Sequence, residues 1–267
     1  MNIKREGMVK MSDVLIEKQG SLLILTLNRP ERLNAFSDEM IRSLTKELQQ
    51  AQGDDSVKVV ILRGSGRIFT SGGDIKEMEK ASAQDVYEHV GELNQCILAM
   101  QRLEKPIVAA VHGFAAGAGF NLALASDFII AAIETKFVLS FSQVGLIPDC
   151  GGLYFLPRLL SPQKVKELLF FAEPITAKEA YAYGLINRTV PIEELQDEVM
   201  QFALRLSKGP LKAYGQIKKI MHTSSHLSLE QVLEKERLTQ TLMFETEDHK
   251  EGVKAFQEKR IPNFKGK

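Results

Sequence analysis

The chain is expected to fold as an α/β protein with an all-helical C-terminal region. Two observations carry that expectation. Continuous apolar runs of strand length, bounded by glycine, proline and asparagine, recur through the first 190 residues and alternate with amphipathic stretches. Beyond about Ile192 the strand-like runs stop and only helical periodicity remains. The 267 residues suffice for a large core, and 44% apolar with 25% charged residues is ordinary for a globular domain.

The elements follow in order. Val14–Glu17 and Leu22–Leu27 read as a hairpin about Gly20, and Asn28-Arg-Pro30 ends the second strand. Ser37 is placed as a helix N-cap, with Asp38 and Glu39 in the first turn, where the helix dipole favours them. Met40, Ile41, Leu44 and Leu48 supply the buried stripe. Val57–Leu62 and Pro106–Val111 are apolar throughout, as strands buried on both faces are. Phe128–Ala132 is a third such strand and Ile186–Val190 a short late one. A doubly wound sheet and a superhelix of β-β-α turns both fit this order. Helical patterns cover 192–208, 210–222, 228–246 and 248–259. A core of residues 1–200 and a helical region of 201–267 are therefore expected, with the boundary near 195–205.

Net charge is zero, which gives no global drive toward nucleic acid or membrane. No apolar run approaches the ~20 residues of a membrane span. The first eleven residues lack a secretory core, and the first ten read as a loose tail. Two cysteines far apart, Cys96 and Cys150, suggest free thiols and a cytoplasmic protein. Between Val199 and Leu229 there is no acidic residue, but Arg205, Lys208, Lys212, Lys218 and Lys219 are present. This stretch reads either as a solvated face pairing with the acidic 230–248 segment or as an anion-binding face. His222 and His226 have metal-like spacing but no third ligand, so no metal is expected. His112 reads as a core or loop histidine, and Asp127 as structural.

Two glycine-rich segments each follow a buried strand and open a helix: Phe69-Thr-Ser-Gly-Gly-Asp74 and Gly113-Phe-Ala-Ala-Gly-Ala-Gly119. Such turns let the backbone come close to a ligand and aim unpaired N–H groups outward. On neighbouring strands they would direct two N–H groups at one oxygen, as an oxyanion hole does. A packing role for the glycines is the competing reading. The second segment is not a dinucleotide fingerprint, because its third glycine is missing, and no Gly-Lys-Ser/Thr phosphate loop follows.

Asn28-Arg-Pro…Leu33-Asn-Ala35, Phe69-x-Ser-Gly-Gly-Asp74, Lys105-Pro106 with Gly113…Gly119, Gly145-Leu-Ile-Pro-x-x-Gly-Gly152 and Glu251-Gly…Phe256-x-x-Lys-Arg260 occur in that order. Together they resemble the crotonase (enoyl-CoA hydratase/isomerase) superfamily over nearly the whole chain. The Phe141-Ser…Gly-Leu-Ile-Pro-Asp-Cys-Gly-Gly152 run is most similar to the ring-1,2-epoxyphenylacetyl-CoA isomerase subgroup of the phenylacetate pathway. The resemblance implies a superhelix of β-β-α turns, with a C-terminal region that assembles trimers or hexamers. It implies an acyl-CoA thioester substrate, with no cofactor beyond the CoA that the substrate carries. The thioester oxygen would lie between the backbone N–H groups of Ser71 and Ala118. Arg29, Leu33, Ser71, Gly72, Gly73, Asp74 and Ala118 would line the CoA site, and Phe256 and Lys259 would reach a neighbour's CoA. A CoA- or RNA-binding protein with little catalysis is a further alternative, since such members of the superfamily exist.

Hydratases of the family carry two glutamates, at positions matched here by Asn121 and Phe141. Neither side chain is an acid or base at neutral pH. Asp149 falls where some isomerases of the superfamily place a catalytic aspartate. Phe141, Ile147 and Pro148 around it would raise its pKa, and the helix expected from Gly151-Gly152 would lower it. A plain helix cap is the competing role for Asp149, and Asp74 is expected to cap its own helix. Asn121 is left as an auxiliary group. Met78, Tyr87, Val90 and Leu93 are candidates for an apolar acyl lining or for core. The expectation is an isomerase with Asp149 as proton carrier; the alternative is a hydratase.

Overall fold

The structure, a computed structural model, describes residues 12–267; the expected N-terminal tail lies outside them. The elements run β1 (Val14–Gln19), β2 (Leu22–Leu27), α1 (Asp38–Gly53), β3 (Val59–Gly64), α2 (Ile75–Met78) and α3 (Ala83–Arg102). Then come β4 (Ile107–Val111), β5 (Phe114–Ala116), α4 (Ala118–Leu124), β6 (Phe128–Ala132) and β7 (Lys136–Val138). α5 (Gly152–Leu159), α6 (Pro162–Phe171), β8 (Ile175–Thr176), α7 (Ala177–Ala182) and β9 (Arg188–Val190) complete the α/β part. α8 (Leu195–Ser207), α9 (Leu211–Ser224), α10 (Leu229–Phe244) and α11 (Glu247–Gln257) follow.

Six strands form one sheet in the order β1-β2-β3-β4-β6-β9, antiparallel between β1 and β2 and parallel from β2 onward. A second, three-stranded sheet has the order β5-β7-β8. The chain alternates between them: β4 in the large sheet, β5 in the small one, then α4; β6 in the large sheet, β7 in the small one, then α5. Thr70 bridges Ala115 of β5, so the segment after β3 also reaches the small sheet before α2 and α3. This is the β-β-α superhelix, and it resolves the choice that sequence pattern alone left open.

The continuous apolar strands are buried on both faces. Leu23, Leu25, Val60, Leu62, Ala109 and Ile129 share a core with Met40, Ile41 and Leu44 of α1 and with Leu93, Cys96 and Met100 of α3. The alternate residues Leu22, Ile24, Val59, Ile61, Val108 and Ile130 pack against Leu195, Val199, Phe202 and Ala203 of α8. Strand period of two explains the division. Ser37 caps α1 by accepting the Met40 N–H at 3.1 Å, as expected. The strand expected at 57–62 is shifted to Val59–Gly64, because Val57 turns from a bend into the sheet. The helical region follows its periodicity closely. α10 buries no residue of its own, and its Leu229, Leu233, Leu238 and Leu242 are each more than half exposed.

Candidate active site

The two glycine turns meet. Residues 69–70 run beside the second turn, with Phe69 N–H donating to the His112 carbonyl (2.9 Å), Thr70 N–H to Phe114 (3.2 Å) and Ala116 N–H to Thr70 (3.1 Å). Gly72 has φ +80°, and a Cβ there would stand 2.5 Å from the Ala116 carbonyl oxygen and 3.1 Å from the amide nitrogens of Ala118 and Gly119. A Cβ on Gly119 would collide with the Thr70 methyl and lie 3.2 Å from Gly72 N. Gly72 requires glycine because two backbones touch there, and Gly119 because the Thr70 methyl leaves no room for a Cβ. The Ala118 N–H opens α4, where helix geometry offers no intrahelical acceptor. The Ser71 N–H donates to the Leu33 carbonyl at 3.0 Å, so any further acceptor must share or displace that bond.

The Asp149 loop closes over the same helix. Cys150 and Gly151 take successive left-handed conformations, φ +47° and +78°, and α5 starts at Gly152. The Asp149 carbonyl accepts from Gly152 N–H (3.0 Å) and from Asn121 Nδ2 (2.9 Å). Asn121 is fully buried, and its side chain occupies the space that a Cβ on Gly152 would need. Its amide therefore pins the backbone of the Asp149 loop. Phe141 is buried in the core cluster that contains Cys150, its ring beneath the Gly117 turn.

The Asp149 carboxyl has a buried Oδ1 with no hydrogen-bond partner. Burial holds its pKa above the usual carboxylate range; the Cys150 thiol, its own backbone and the charge of His89 act in the opposite direction. Burial, the pull expected to raise the value, prevails, and the groups that oppose it are these rather than the α5 dipole that the sequence suggested. Burial and the adjacent Asp149 push the Cys150 thiol well up, which keeps it from being a thiolate nucleophile.

Asp74 caps α2 through the Lys76 N–H (3.2 Å) and accepts from Arg32 Nη2 (2.8 Å) and Nε (3.2 Å). Arg29 donates to the Ala35 carbonyl (2.7 Å) and stands 3.7 Å from Asp74. Leu33 and Asn34 are left-handed, φ +54° and +52°. The Met78 methyl fills the space over Gly73. Leu93 is core, whereas Met78 and Tyr87 are exposed. Phe256, 86% exposed, lines a cleft of about 1180 Å³ among α9, α10 and α11, and Lys259 follows in a left-handed conformation. Among the described residues no hydrogen bond or ion pair joins either to the Asp149 loop.

The remaining candidates have local partners. His112 meets the Gly66 carbonyl (2.9 Å), His222 the Gln101 carbonyl (3.2 Å) and His226 the Arg158 guanidinium (3.1 Å). Lys218 is buried against Asp127 (2.7 Å) and Lys219 lies 3.8 Å from Glu104. These two lysines are thus matched by core acids rather than by the 230–248 segment.

Two residues escaped the sequence reading. Asn34 is fully buried and donates to the carbonyls of Ser65 (2.8 Å), Ile68 (2.9 Å) and Phe69 (3.1 Å), latching the first turn in place. Its presence in the Leu33-Asn-Ala35 motif was the available signal. His89 of α3 holds Asp38 of α1 at 2.9 Å. Nothing local in sequence marks it, since the pair spans 51 positions.

Comparison with known proteins agrees with this geometry. The sequence model of the enoyl-CoA hydratase/isomerase family matches residues 17–267. The chain is similar to the 1,2-epoxyphenylacetyl-CoA isomerase of Escherichia coli (strain K12), 38% identical across 96% of this chain and 100% of that one. It is equally similar to the crotonyl-CoA hydratase of Syntrophomonas wolfei, 38% identical across 94% and 97%. A crystal structure of an enoyl-CoA hydratase from Polaromonas sp. JS666 superimposes with a TM-score of 0.91 at 33% identity, covering 94% of this chain and 99% of that one. Two touching glycine turns on a β-β-α superhelix, matched along nearly the full length by these relatives, place the chain in the enoyl-CoA hydratase/isomerase (crotonase) family of enzymes.

Proposed function

We propose that the protein is an acyl-CoA isomerase that works through an enolate, with Asp149 as its proton carrier. One observation carries the reading: Asp149 is a carboxylate with a buried unpaired oxygen beside the glycine turns, while Asn121 and Phe141 offer no second acid. In the simplest reaction the Asp149 carboxylate takes a proton from C2 of a 3-enoyl thioester. The C2–H electron pair moves into the enolate, whose charge rests on the thioester oxygen between the Ser71 and Ala118 N–H groups. The Asp149 carboxylic acid then returns the proton to C4, giving the 2-enoyl thioester and regenerating the base. One such donor contributes about 3 kcal/mol, and a positioned base roughly 10²–10⁴ in rate. Rearrangement of an epoxide-bearing aromatic CoA to its oxepin uses the same polarised thioester, and the similarity to an epoxyphenylacetyl-CoA isomerase favours it.

Arg29, Leu33, Gly72, Gly73 and Asp74 form the wall along which the CoA would lie, with Phe256 and Lys259 contributed across a subunit boundary. The exposed leucines of α10 favour a trimer or hexamer. The two free cysteines fit a reducing compartment such as the cytoplasm. Hydration is the second reading, favoured by the similarity to a crotonyl-CoA hydratase.

The test is product analysis with one 3-enoyl-CoA and one trans-2-enoyl-CoA. The expected result is conversion of the 3-enoyl substrate to the 2-enoyl isomer, abolished in Asp149→Asn. Fast 3-hydroxyacyl-CoA formation that depends on Asp149 would overturn the isomerase reading in favour of hydration.

A further inference from the structure

Asp149 stands immediately ahead of α5, and what holds α5 holds Asp149. Gly152 N–H bonds the Asp149 carbonyl at 3.0 Å, and the Tyr154 and Phe155 N–H groups bond the Gly151 carbonyl at 2.8 and 2.9 Å. The Phe155 ring covers Gly151, where a Cβ would meet it at 2.7 Å. The loop and the first turn of α5 therefore move as one piece. One side of α5 is fixed by Leu156, which is fully buried in the core. The side toward α9 is not packed in this way. A cleft of about 890 Å³ is lined from α5 by Phe155 and Leu159 and from α9 by Ile217 and Met221. Side chains that face a gap lose their dispersion contacts and restrain the helix little.

Two side chains of α5 cross to α9. Tyr154 Oη donates to the His222 carbonyl at 2.9 Å. Arg158 reaches the end of α9 and the turn after it. Its Nε and Nη2 donate to Ser225 Oγ at 3.3 and 3.2 Å, and Nη2 meets His226 Nε2 at 3.1 Å. The guanidinium lies 3.4 Å over the Tyr154 ring, and its Nη1 donates to the Tyr154 carbonyl at 2.6 Å. The stacked pair is thus one clamp rather than two separate contacts. α9 is itself a fixed abutment. Buried Lys218 pairs with Asp127 at 2.7 Å, Asp127 also accepts the Ile107 N–H at 2.8 Å, and the His222 ring meets the Gln101 carbonyl at 3.2 Å. These bonds tie α9 to the starts of β4 and β6 and to α3, and the clamp ties α5 to α9.

We infer that Tyr154 and Arg158 are positioning residues for the Asp149 carboxyl: through them α9 and the turn after it fix α5, and α5 fixes the loop. Asn121 holds the Asp149 carbonyl from α4, and the clamp holds the same loop through its helix. The inference rests on the reading of Asp149 as proton carrier. It gives the C-terminal helices a part in proton transfer that is separate from any in assembly. The glycine turns are held by bonds of their own, from Phe69 to His112, Thr70 to Phe114 and Ser71 to Leu33. A loosened clamp should therefore lower kcat and leave KM alone.

The test reads the loop and the reaction separately on the full-length protein. Tyr154→Phe removes one hydroxyl and keeps the ring under Arg158, whereas Arg158→Lys keeps the charge and loses the fork and the stacking plane. In both, deuterium exchange of the Asp149 loop and the first turn of α5 is expected to quicken by roughly tenfold, with β4 and β6 unchanged as the check on folding. In both, kcat is expected to fall by roughly tenfold, short of the ~100-fold that a 1 Å displacement costs, with KM within about twofold. On the residual activity of Asp149→Asn the same substitutions should cost nothing further, because they act through that carboxyl. Unchanged loop exchange in Tyr154→Phe, the milder variant, overturns the clamp, whatever the enzyme's reaction. Faster exchange with kcat unchanged overturns its role in positioning, as does an equal further loss in the Asp149→Asn background. Full activity of Asp149→Asn instead overturns the proton-carrier reading, and the exchange result stands apart from it.

Discussion

Asn121→Ala separates a positioning amide from a core side chain. The change removes the Nδ2 bond to the Asp149 carbonyl, made at 2.9 Å in a fully buried setting. A neutral bond of this kind contributes about 1 kcal/mol. The vacated space, roughly 30 Å³ at about 24 cal/mol per Å³, costs about 0.7 kcal/mol more. Against this, Asn121 Oδ1 is buried with no partner, and its removal relieves about 1 kcal/mol. The Asp149 carbonyl also keeps its Gly152 N–H at 3.0 Å. The net loss is therefore about 1 kcal/mol, a melting shift of roughly 2–4 °C for a chain of this size. Activity should respond far more, because the loop carrying the carboxylate loses its pin. A displacement near 1 Å costs about 10²-fold. Thermal melts and kcat/KM on the enoyl-CoA that the protein turns over read the two effects side by side. Asn121→Asp should be worse on both, since a carboxylate cannot donate to the carbonyl and adds like charge beside Asp149. A kcat/KM within about twofold of wild type, with the melting shift in place, would refute the positioning role.

Two other outcomes follow from the same geometry. The raised pKa of Asp149 means that the folded state binds its proton more tightly than the unfolded state does. Its contribution is thus favourable at low pH and is lost as pH rises from about 3.9, the ordinary value, through the raised one. Asp149→Asn is accordingly expected to melt higher than wild type at pH 7 and to lose that advantage below pH about 4; equal differences at both values would contradict the burial argument. Gly119→Ala should lower kcat sharply, because its Cβ strikes the Thr70 methyl and crowds Gly72 N. Gly119→Ala/Thr70→Ser should recover part of the loss, since serine keeps the hydroxyl that accepts from Gly72 N–H at 3.0 Å; no recovery would mean that the Thr70 contact is not the obstacle.

The large sheet was legible because its parallel strands are apolar on both faces, and the C-terminal helices because their periodicity is long. β5, β7 and β8 were not, since strands of two or three residues show no alternation. Yet these short strands make the second sheet and bring the glycine turns together. The two glycine turns stood out by their glycines, whereas the choice of Ser71, Ala118 and Asp149 within them and beside them came from the family resemblance. The action of Asn121 on the Asp149 backbone could not be read, because it joins residues 28 positions apart across a turn whose left-handed pair begins with a cysteine. His89 was invisible for the same reason: its partner Asp38 lies on another element.

The bond from Ser71 N–H to Leu33 bears directly on how the proposed oxyanion site would act. Leu33 and Asn34 are both left-handed, a conformation that costs Leu33 roughly 1 kcal/mol or more and that Asn34 tolerates. The turn is held in that shape by the three donor bonds of Asn34 and by the Arg29 N–H to its Oδ1 at 2.9 Å. The Leu33 carbonyl can therefore yield its donor without loss of the turn. A neutral thioester oxygen competes with that carbonyl on equal terms. An enolate oxygen does not, because charge-assisted bonds are about twice as strong. The Ser71 donor would thus pass to the substrate mainly as charge develops, and an interaction stronger in the transition state than in the ground state is the kind that raises kcat.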